Sequence, residues 1–562
     1  MIYSCDFETT TQKDDCRVWS WGVCDVPYKN YWSGINIESF IEFISRDSAT
    51  YYFHNLKFDA SSILNYLLTH DYKWIKDKKE KEDKTFTTLI SSTLVYYNIT
   101  IYFKKGKNFV KASICDSKKL LNMSVDAIAK SLKLEYQKGE IDYNKERPIG
   151  YIPDENEQDY QKNDVIIVSK GLEFYLNQKL TKMTQGACAL QDYKNILGKK
   201  NFERYFPMLG KELDKDIRKA YKGGWVWLNP KYKDKIIKES GYVIDYNSLY
   251  PSVMLKYPMP YSFPKYFDGK YIEDKNYPLY IQHIRCEFEL KKGFVPTIQL
   301  KNNLSFIANE YLTSSNGEAP DLFLTNIDLE IFLKHYDIIE IEYINGWKFR
   351  QKTGLFKDYI EKWSQIKINS KKEGNYGMYM LSKIMMNSLY GKFATAPEGY
   401  SKKPYLKDGV LCHELLEKED RKPLYIPVSV YITSYARRET ITVAQTVYEQ
   451  GKFIYSDTDS VHGLGEIPES VELDDAAFCK WKKEFNILYC KYLRQKCYVD
   501  YGTEVGSNKL ERHIVVAGLP QTAKKCFSIK KFNFGRTYDG KLMPKQVKGG
   551  IILEETLFTI KK

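Results

Sequence analysis

The chain has 562 residues, enough for several domains that each bury a core, and Lys plus Arg outnumber Asp plus Glu by 85 to 72. The resulting net charge of +13 suits a polyanionic partner, although proteins that bind no nucleic acid also carry such a charge. The eleven cysteines form no CxxC pair and the seven histidines are scattered, which argues against a zinc site and a disulfide framework. The sequence contains no membrane-spanning apolar run and no signal-peptide pattern, which argues against a membrane protein and against secretion.

The first third of the chain alternates strand-like and helix-like stretches, which is typical of an α/β domain. Asp6 and Glu8 stand at i and i+2, so on a strand both carboxylates point to one face. With Asp59 and Asp164 they supply four carboxylates, enough for a two-metal site. Tyr160, one helical turn before Asp164, is placed to orient a water molecule. Taken alone, Asp164 is about as well explained as a solvated acid on a helix.

Three further segments read as connections or insertions. Tyr221, Gly223 and Gly224 belong to a run whose backbone other groups can approach closely, although a plain β-turn is slightly favoured on local chemistry. Residues 257–354 and 394–424 are longer than connections need to be, so we predict two inserted subdomains. A neutral surface decoration remains the alternative for both.

Three acids from residue 245 onwards point to metal-dependent chemistry. A strand ends at Asp245, which either binds a metal or caps the helix that follows, and Tyr250 is placed to lie beneath a sugar. In the run 455–460, Asp457 and Asp459 stand at i and i+2, and on an extended backbone they share one face. Such a pair repels unless a cation is present, so it suits divalent magnesium; the alternative is a charged hairpin turn.

Between these acids the sequence predicts a helix with two distinct faces. One face is mostly apolar at helical spacing, at Leu381, Ile384, Met385, Ser388 and Leu389. The other presents Lys383, Asn387, Tyr390 and Gly391, a set suited to a triphosphate and a base. Periodicity alone favours an ordinary amphipathic helix.

Taken together in order, these motifs resemble those of family B DNA polymerases. The palm and fingers matches are Asp-x-x-Ser-Leu-Tyr-Pro from Asp245, Lys-x-x-x-Asn-Ser-Leu-Tyr-Gly from Lys383 and Tyr-x-Asp-Thr-Asp-Ser from Tyr455. Segments around Asp6, Asp59 and Asp164 resemble the three proofreading-exonuclease motifs, and Tyr221-Lys222-Gly223-Gly224 and Lys496-Cys497-Tyr498 resemble motifs of the protein-primed subgroup. The similarity is to the compact bacteriophage polymerases of the phi-29 type and extends over nearly the whole chain.

The resemblance implies an α/β multidomain fold: an RNase H-like 3′-5′ exonuclease domain and a right-hand polymerase with two inserted subdomains. The implied divisions are an exonuclease domain at 1–183, palm at 184–256 and 425–516, a priming-protein-contacting insertion at 257–354, fingers at 355–393, a DNA-encircling insertion at 394–424 and a thumb at 517–562.

The resemblance also implies site roles. Nucleotide contacts fall on Tyr250, Lys367, Lys383, Asn387 and Tyr390, and DNA contacts on Thr9, Asn55, Phe58, Ser117, Tyr221, Gly223, Gly224, Lys496 and Tyr498. Metal ligands are Asp245, the carbonyl of Tyr246, Asp457 and Asp459 in one site and Asp6, Glu8, Asp59 and Asp164 in the other, with Lys138 and Tyr160 as further catalytic residues of the exonuclease. Ser62 and Lys118 stand where the relatives are expected to be apolar, so the hold on the strand is expected to differ, and His54 and Phe58 also fit plain packing.

We therefore expect a DNA-directed DNA polymerase with 3′-5′ proofreading that replicates a linear phage genome from a protein primer, with strand displacement. Expected cofactors are Mg²⁺, for which Mn²⁺ substitutes, and expected partners are primer-template DNA, dNTPs, a terminal priming protein and a single-stranded DNA-binding protein. The chain is expected to act as a monomer in the cytoplasm of the infected bacterium. A nucleic-acid-primed family B polymerase is the alternative.

Overall fold

A computed structural model describes residues 1–300, 310–525 and 527–562 of the chain. Residues 301–309 of the predicted first insertion and Cys526 of the predicted thumb lie outside the described residues. Within the described ranges, no helix is long and apolar enough to cross a bilayer.

The amino-terminal region is built on an eight-stranded mixed sheet, which agrees with the predicted α/β domain. In spatial order its strands are Tyr31–Gly34, Val18–Asp25, Ile2–Thr9, Ala49–Phe53, Asn108–Asp116, Tyr96–Lys105, Thr85–Ile90 and Lys73–Trp74. The helices are Ile37–Ile44, Lys57–Thr69, Val125–Leu132 and Glu155–Asn177, with 3₁₀ turns at Lys78–Glu80 and Ser117–Lys119. Three central strands run parallel, and Glu155–Asn177 packs across the first of them, so helix and strand side chains meet over one face.

A second, antiparallel sheet is formed by strands between Val226 and Val516. Its strands are Leu510–Val516, Cys497–Glu504, Trp481–Arg494, Gly241–Tyr246, Ser460–Leu464, Phe453–Asp457 and Val226–Leu228 in spatial order, with Ile236–Ile237 paired to Trp481–Arg494. The helices Leu249–Lys256 and Pro427–Glu449 pack together near this sheet, and a 3₁₀ turn lies at Pro230–Tyr232. Gln185–Leu197, Lys199–Tyr205 and Lys211–Arg218 connect it to the first region, and their apolar residues join the same core.

The predicted first insertion contains its own four-stranded antiparallel sheet. The strands are Met259–Asp268, Tyr336–Lys352, Leu279–Leu290 and Asp321–Thr325 in spatial order, and the helix Asn326–His335 packs against them. A separate apolar cluster around Phe288, Phe332 and Tyr336 gives it a small core of its own. The segment is therefore a structured unit and not a connection.

The helix predicted around Lys383 is present as Tyr376–Phe393, and it pairs with Lys357–Lys372. Asn375 caps it by accepting a hydrogen bond from the backbone N–H of Met378. Of the predicted apolar face, Leu381, Met385 and Leu389 are buried, whereas Ile384 and Ser388 are half-buried. Lys383 and Asn387 are exposed, as the two-faced pattern predicts.

The predicted second insertion consists of β-hairpins that contact other parts of the chain. Its strands are Glu398–Gly399 with Glu419–Asp420, and Lys402–Lys407 with Val410–Leu415. Leu411 is buried in the core of the amino-terminal region, and Val410 forms a bridge to Lys548 of the carboxyl-terminal hairpin Thr537–Val547 with Gly550–Thr559. A short helix, Gln521–Lys525, and a 3₁₀ turn, Ile529–Lys531, precede that hairpin.

Candidate active sites

The amino-terminal carboxylates line a cavity of about 610 Å³. Asp6 and Glu8 reach it from the strand Ile2–Thr9, and Asp164 reaches it from Glu155–Asn177. Asp59 is buried in the first turn of Lys57–Thr69, close enough to Asp6 that each acid raises the pKa of a neighbour. The predicted four-acid set is thus brought together by one strand and two helices.

Electrostatics in this cavity favour a cation. Burial, followed by the charge of Asp164, raises the pKa of Asp6 to about 7, while Lys138 lowers it. Burial also raises the pKa of Glu8, Asp59 and Asp164. One oxygen of Asp164, Oδ1, is buried and has no hydrogen-bond partner among the described residues. A hard divalent ion would satisfy such carboxylate oxygens.

A lysine and two tyrosines complete the cavity. Lys138 donates to Asp164 Oδ2 and, at 3.0 Å, to the hydroxyl of Tyr160. The Tyr160 hydroxyl lies 2.9 Å from that of Tyr143, which also lines the cavity. Tyr143 was missed at the sequence level because it stands in an irregular segment with no periodic pattern to mark it.

The residues predicted to contact the DNA strand in this cavity divide into two groups. Thr9 and Phe58 line the cavity, and the backbone N–H of Asn55 is fixed by Asp116 Oδ1 at 3.1 Å. Ser117 is fully buried, and its hydroxyl donates to the carbonyl of Phe53 at 3.0 Å. The Ser117 hydroxyl is thus engaged inside the protein, and the contact of this residue with the DNA strand stays a prediction.

Two positions that depart from the relatives' expected pattern take different places. Ser62 is buried beneath the carboxyl-terminal hairpin, where a Cβ on Gly550 would lie 3.0 Å from its hydroxyl oxygen. Lys118 is half-buried, and its backbone N–H donates to Asp116 Oδ1 at 3.0 Å. A bulky residue at position 62 would collide with this hairpin, so the small side chain fits the contact.

The second group of acids lies on the antiparallel sheet. Asp245 ends its strand opposite Ser460, and the N–H of Tyr246 donates to the carbonyl of Asp459 at 2.7 Å. Asp457 pairs with Ser460, and Asp459 lies in the two-residue turn between them, where Thr458 has a φ of +63°. The prediction of an extended backbone through both acids is therefore wrong. The hairpin alternative describes the backbone, yet the turn still brings both acids towards Asp245.

The capping alternative for Asp245 is excluded by the structure. The helix Leu249–Lys256 begins after Ser248, and no side chain caps it. Burial, followed by Asp459 and Glu484, raises the pKa of Asp245 to about 8. Burial is also the largest cause that raises the pKa of Asp459. Acids that repel one another in this way fit a divalent cation by their chemistry.

Charged neighbours surround these acids. Lys496 Nζ donates to Asp457 Oδ1 at 2.9 Å, and the Tyr455 hydroxyl donates to Asp457 Oδ2 at 3.2 Å. Lys482 is the strand partner of Asp245, and its charge lowers the pKa of that acid. Lys482 and Glu484 were missed at the sequence level because strand pairing, which the sequence does not display, brings them to the site.

The predicted nucleotide-contacting residues converge on the same cleft. The rings of Tyr250 and Tyr390 stack with centroids 4.2 Å apart. Burial, followed by the charges of Lys383 and Lys371, lowers the pKa of Lys367, so these lysines from two helices lie close together. Lys383 in turn lowers the pKa of Asp245, which places it within electrostatic reach of the acids.

Of the predicted primer contacts, Tyr498 is displaced from the cleft. Its side chain is buried, packing against Tyr492 with ring centroids 5.0 Å apart and against Tyr455 at 5.2 Å. The ring lies in the apolar cluster that Tyr455 and Tyr492 also join, and the contact of Tyr498 with DNA stays a prediction. Lys496 is largely exposed and is paired with Asp457.

Neither cleft holds a closed metal cage in this conformation. Within 1–300, 310–525 and 527–562, no group of three or more His, Cys, Asp or Glu side chains is close enough to enclose one ion. Asp164 and Asp457 point instead to Lys138 and Lys496. The donor chemistry therefore fits a divalent cation, while a full ligand set requires side-chain rotations.

Comparison with known proteins relates the whole chain to one family. The sequence model described as DNA polymerase type B, organellar and viral, matches residues 141–467. The chain is 45% identical to the DNA polymerase of Bacillus phage M2 and 44% identical to that of Bacillus phage phi29, in each case over all of this chain and 99% of the relative. It is 33% identical to the DNA polymerase of Streptococcus phage Cp-1 over 98% of that protein.

Solved structures agree with this relation. Phi29 DNA polymerase in a ternary complex with primer-template DNA and incoming nucleotide substrates matches with a TM-score of 0.95 at 43% identity, over 100% of both chains. The same relative complexed with single-stranded DNA matches with a TM-score of 0.92. The expected fold class, an exonuclease-bearing right-hand polymerase, is thereby confirmed.

Proposed function

This chain belongs to the type B DNA polymerases of organelles and viruses, and we propose that it is a phage replicase that extends a primer and proofreads the product. The observation that carries the proposal is the convergence of Asp245, Asp457 and Asp459 with Lys383 and the stacked Tyr250–Tyr390 pair in one cleft. Its substrates are primer-template DNA and dNTPs, which the phi29 relative binds in its solved complex.

In the polymerase site, Asp245, Asp459 and the carbonyl of Tyr246 would hold Mg²⁺, with Mn²⁺ able to substitute, and Asp457 lies beside them. When bound, the metal activates the primer hydroxyl and neutralises charge on the leaving pyrophosphate. Lys367 and Lys383 bind the triphosphate as point charges. Asn387 lies on the same exposed helix face as Lys383.

The two stacked rings of this cleft have separate roles. Tyr250 blocks the space that a ribose 2′-hydroxyl would need, and Tyr390 packs against the nascent base pair. Their contact, with centroids 4.2 Å apart, and their packing against the adjoining apolar core hold the rings in place.

The amino-terminal cleft is a 3′-5′ exonuclease in this proposal. Asp6, Glu8, Asp59 and Asp164 would hold the metal ions, which supply a nucleophilic water and stabilise the leaving oxygen. Tyr160, held by Lys138 at 3.0 Å, orients that water. Thr9 and Phe58 hold the frayed 3′ end, since both line the cavity.

We assign the first insertion to a terminal priming protein. It forms a separate sheet, and the first part of its strand Tyr336–Lys352 exposes Asp337, Glu340 and Glu342. The hydroxyl donor is then a side chain of the priming protein. A nucleic-acid-primed enzyme is the second candidate, favoured by the fact that every group needed for transfer lies outside the insertion.

The second insertion supports strand displacement in this proposal. Leu411 of this insertion packs into the amino-terminal region, and Val410 pairs with Lys548 of the carboxyl-terminal hairpin, contacts that support a role for the insertion in encircling DNA. The hydroxyl of Tyr96 lies 2.6 Å from His413 Nε2 and strengthens the first of these contacts. Displaced single strand would then be covered by a single-stranded DNA-binding protein in the cytoplasm of the infected cell.

The direct test is DNA synthesis by the purified chain on a primed template with labelled dNTPs, with and without Mg²⁺. Asp459→Asn is expected to stop synthesis, whereas Glu469→Gln, an exposed carboxylate five residues beyond the hairpin, is expected to behave as the parent protein. Metal-independent synthesis, or an active Asp459→Asn protein, would contradict the proposal.

A further inference from the structure

One glutamate outside the reacting groups joins the two ends of the segment that runs from Tyr246 to Tyr257. Glu439 lies on the helix Pro427–Glu449, and its side chain is only 15% exposed. Its Oε2 accepts a hydrogen bond of 3.0 Å from the hydroxyl of Tyr246. Its Oε1 accepts one from the hydroxyl of Tyr257 and another, of 3.1 Å, from Lys256 Nζ. A single carboxylate therefore holds the segment at its first residue and at its last two.

The first of these residues belongs to the polymerase site through its backbone. Tyr246 ends the strand Gly241–Tyr246, and its N–H donates to the carbonyl of Asp459 at 2.7 Å. Its ring is buried and lies nearly perpendicular to that of Trp481, with centroids 5.2 Å apart. Burial, followed by the charge of Glu439, raises the pKa of Tyr246, so the hydroxyl keeps its proton and donates the hydrogen bond. The main chain of Tyr246 is thus at the metal site, while its side chain is held by Glu439.

The opposite end of the segment is held by aromatic packing as well. Tyr257 is the cap residue at the carboxyl end of the helix Leu249–Lys256, whose second residue is Tyr250. The Tyr257 ring stacks on Tyr435 with centroids 4.4 Å apart, and the Arg438 guanidinium lies 4.5 Å from the Tyr257 centroid. Because Tyr435 and Arg438 are on the same long helix as Glu439, that helix fixes both the start and the end of the segment.

Loss of the Glu439 carboxylate would remove the acceptor of a buried hydroxyl. A buried donor without a partner is costly, so the Tyr246 side chain would have to move towards water or towards another acceptor. The ring and the carbonyl of Tyr246 share one Cα, so this movement reaches the backbone at the metal site.

We propose that Glu439 is a positioning residue for the incoming nucleotide, which sets the place of the Tyr246 carbonyl and thereby how tightly dNTP is bound with its metal ion. The inference rests on the proposed function, in which that carbonyl is a metal ligand and dNTPs are the substrates. Glu439 acts through Tyr246 and not on the primer terminus, so its loss weakens nucleotide binding more than it slows nucleotide transfer.

The test is steady-state primer extension at varied dNTP concentration by Glu439→Ala and by Tyr246→Phe. Glu439→Ala is expected to raise KM for dNTP about tenfold, the effect of losing hydrogen bonds to a charged group, and to change kcat by less than about twofold. Tyr246→Phe keeps the backbone carbonyl and removes only the hydroxyl, so it is expected to raise this KM about fivefold. The double variant is expected to be no worse than Glu439→Ala, because both changes break the same link. Glu449→Gln, which alters an exposed carboxylate at the end of the same helix, is the matched control.

A second measurement separates nucleotide binding from catalysis. Binding of dNTP to the protein on a dideoxy-terminated primer-template, where no transfer takes place, is expected to weaken about tenfold in Glu439→Ala. Binding of the same primer-template without dNTP and excision of single-stranded DNA are expected to match the parent protein.

An unchanged KM for dNTP in both single variants, a fall in kcat at constant KM, or fully additive effects in the double variant would overturn the inference. Parallel loss of excision, or of primer-template binding without dNTP, would also overturn it, because it would assign Glu439 to general stability. If Glu439→Ala fails to fold, Tyr246→Phe still decides between these outcomes. If the parent protein itself failed to extend primers, the proposed function would fail first.

Discussion

The amino-terminal and polymerase clefts hold the same kind of acid on different backbones. In the first, Asp6 and Glu8 are fixed side by side on a strand, and a half-buried lysine pairs with the fourth acid. In the second, Asp457 ends a strand and Asp459 lies in the turn that follows, which accepts a hydrogen bond from Thr440, and the lysine that pairs with Asp457 is largely exposed. In the amino-terminal cleft, a half-buried lysine of the protein therefore neutralises part of the acidic charge. In the polymerase cleft the pairing lysine is exposed, so that site is more open to a bound cation.

Inactivating one cleft at a time is expected to have the largest effect, because each cleft is proposed to carry a separate activity. Asp6→Ala with Glu8→Ala is expected to lower excision of single-stranded 3′ ends by at least about 10³-fold, since several kcal/mol of transition-state stabilisation are lost. Primer extension by the same protein is expected to persist. Asp245→Ala is the reciprocal variant and is expected to lose synthesis while excision continues. Excision that survives in the double variant would show that this cleft is not the nuclease.

The sequence predicts which acids form the two sites, but it does not predict the residues that surround them. The shared direction of Asp6 and Glu8 was predictable because residues two apart on a strand point to the same face, and both lie on the strand Ile2–Thr9. Asp457 and Asp459 have the same spacing, yet a single residue at positive φ changed the backbone between them. Local spacing therefore predicted which acids meet without predicting how.

Contacts made across the chain were not predictable in the same way. Glu484 and Lys482 join the polymerase acids through strand register, and Arg437 bonds to carbonyls about 215 positions away. Tyr498 lies in an apolar cluster formed by residues of several strands, and this burial could not be predicted from its own strand. Such contacts depend on tertiary packing and leave no local pattern.

Replacing the lysine of each cleft, Lys138 or Lys496, tests whether the two lysines have different roles. Lys138→Met is expected to lower excision about 10²-fold, because Lys138 fixes both Asp164 and the Tyr160 hydroxyl. Since the charge of Lys138 lowers the pKa of Asp6, its removal is also expected to move the acid limb of the excision pH profile upward. Lys496→Met, the matched change in the other cleft, is expected to leave that profile in place. An unmoved acid limb in Lys138→Met would argue against this role.

Sugar selection tests a feature that only the polymerase cleft has. Tyr250→Val is expected to improve ribonucleotide use at least about tenfold relative to dNTPs, because removing the ring opens the space near the 2′ position. Tyr390→Phe keeps the stacked ring and serves as the control. The measurement is the ratio of kcat/KM for dNTP and rNTP of the same base. An unchanged ratio in Tyr250→Val would assign the discrimination to another residue.

The smallest expected effect is a pH dependence of stability that differs between metal-free and metal-loaded protein. Burial raises the pKa of Asp245 to about 8 and that of Asp6 to about 7, above the values near 4 of the unfolded chain. The folded protein therefore binds these protons more tightly, so without metal its stability falls as pH rises from about 4 towards 8. Mg²⁺ competes with the protons and stabilises only the ionised acids. We expect Mg²⁺ to raise Tm more at pH 8 than at pH 6, and this difference between the two pH values to shrink in both Asp6→Asn and Asp245→Asn, because each variant removes one of the acids that ionise over this range. An equal Mg²⁺ effect at both pH values would indicate that metal binding does not depend on ionisation of these acids.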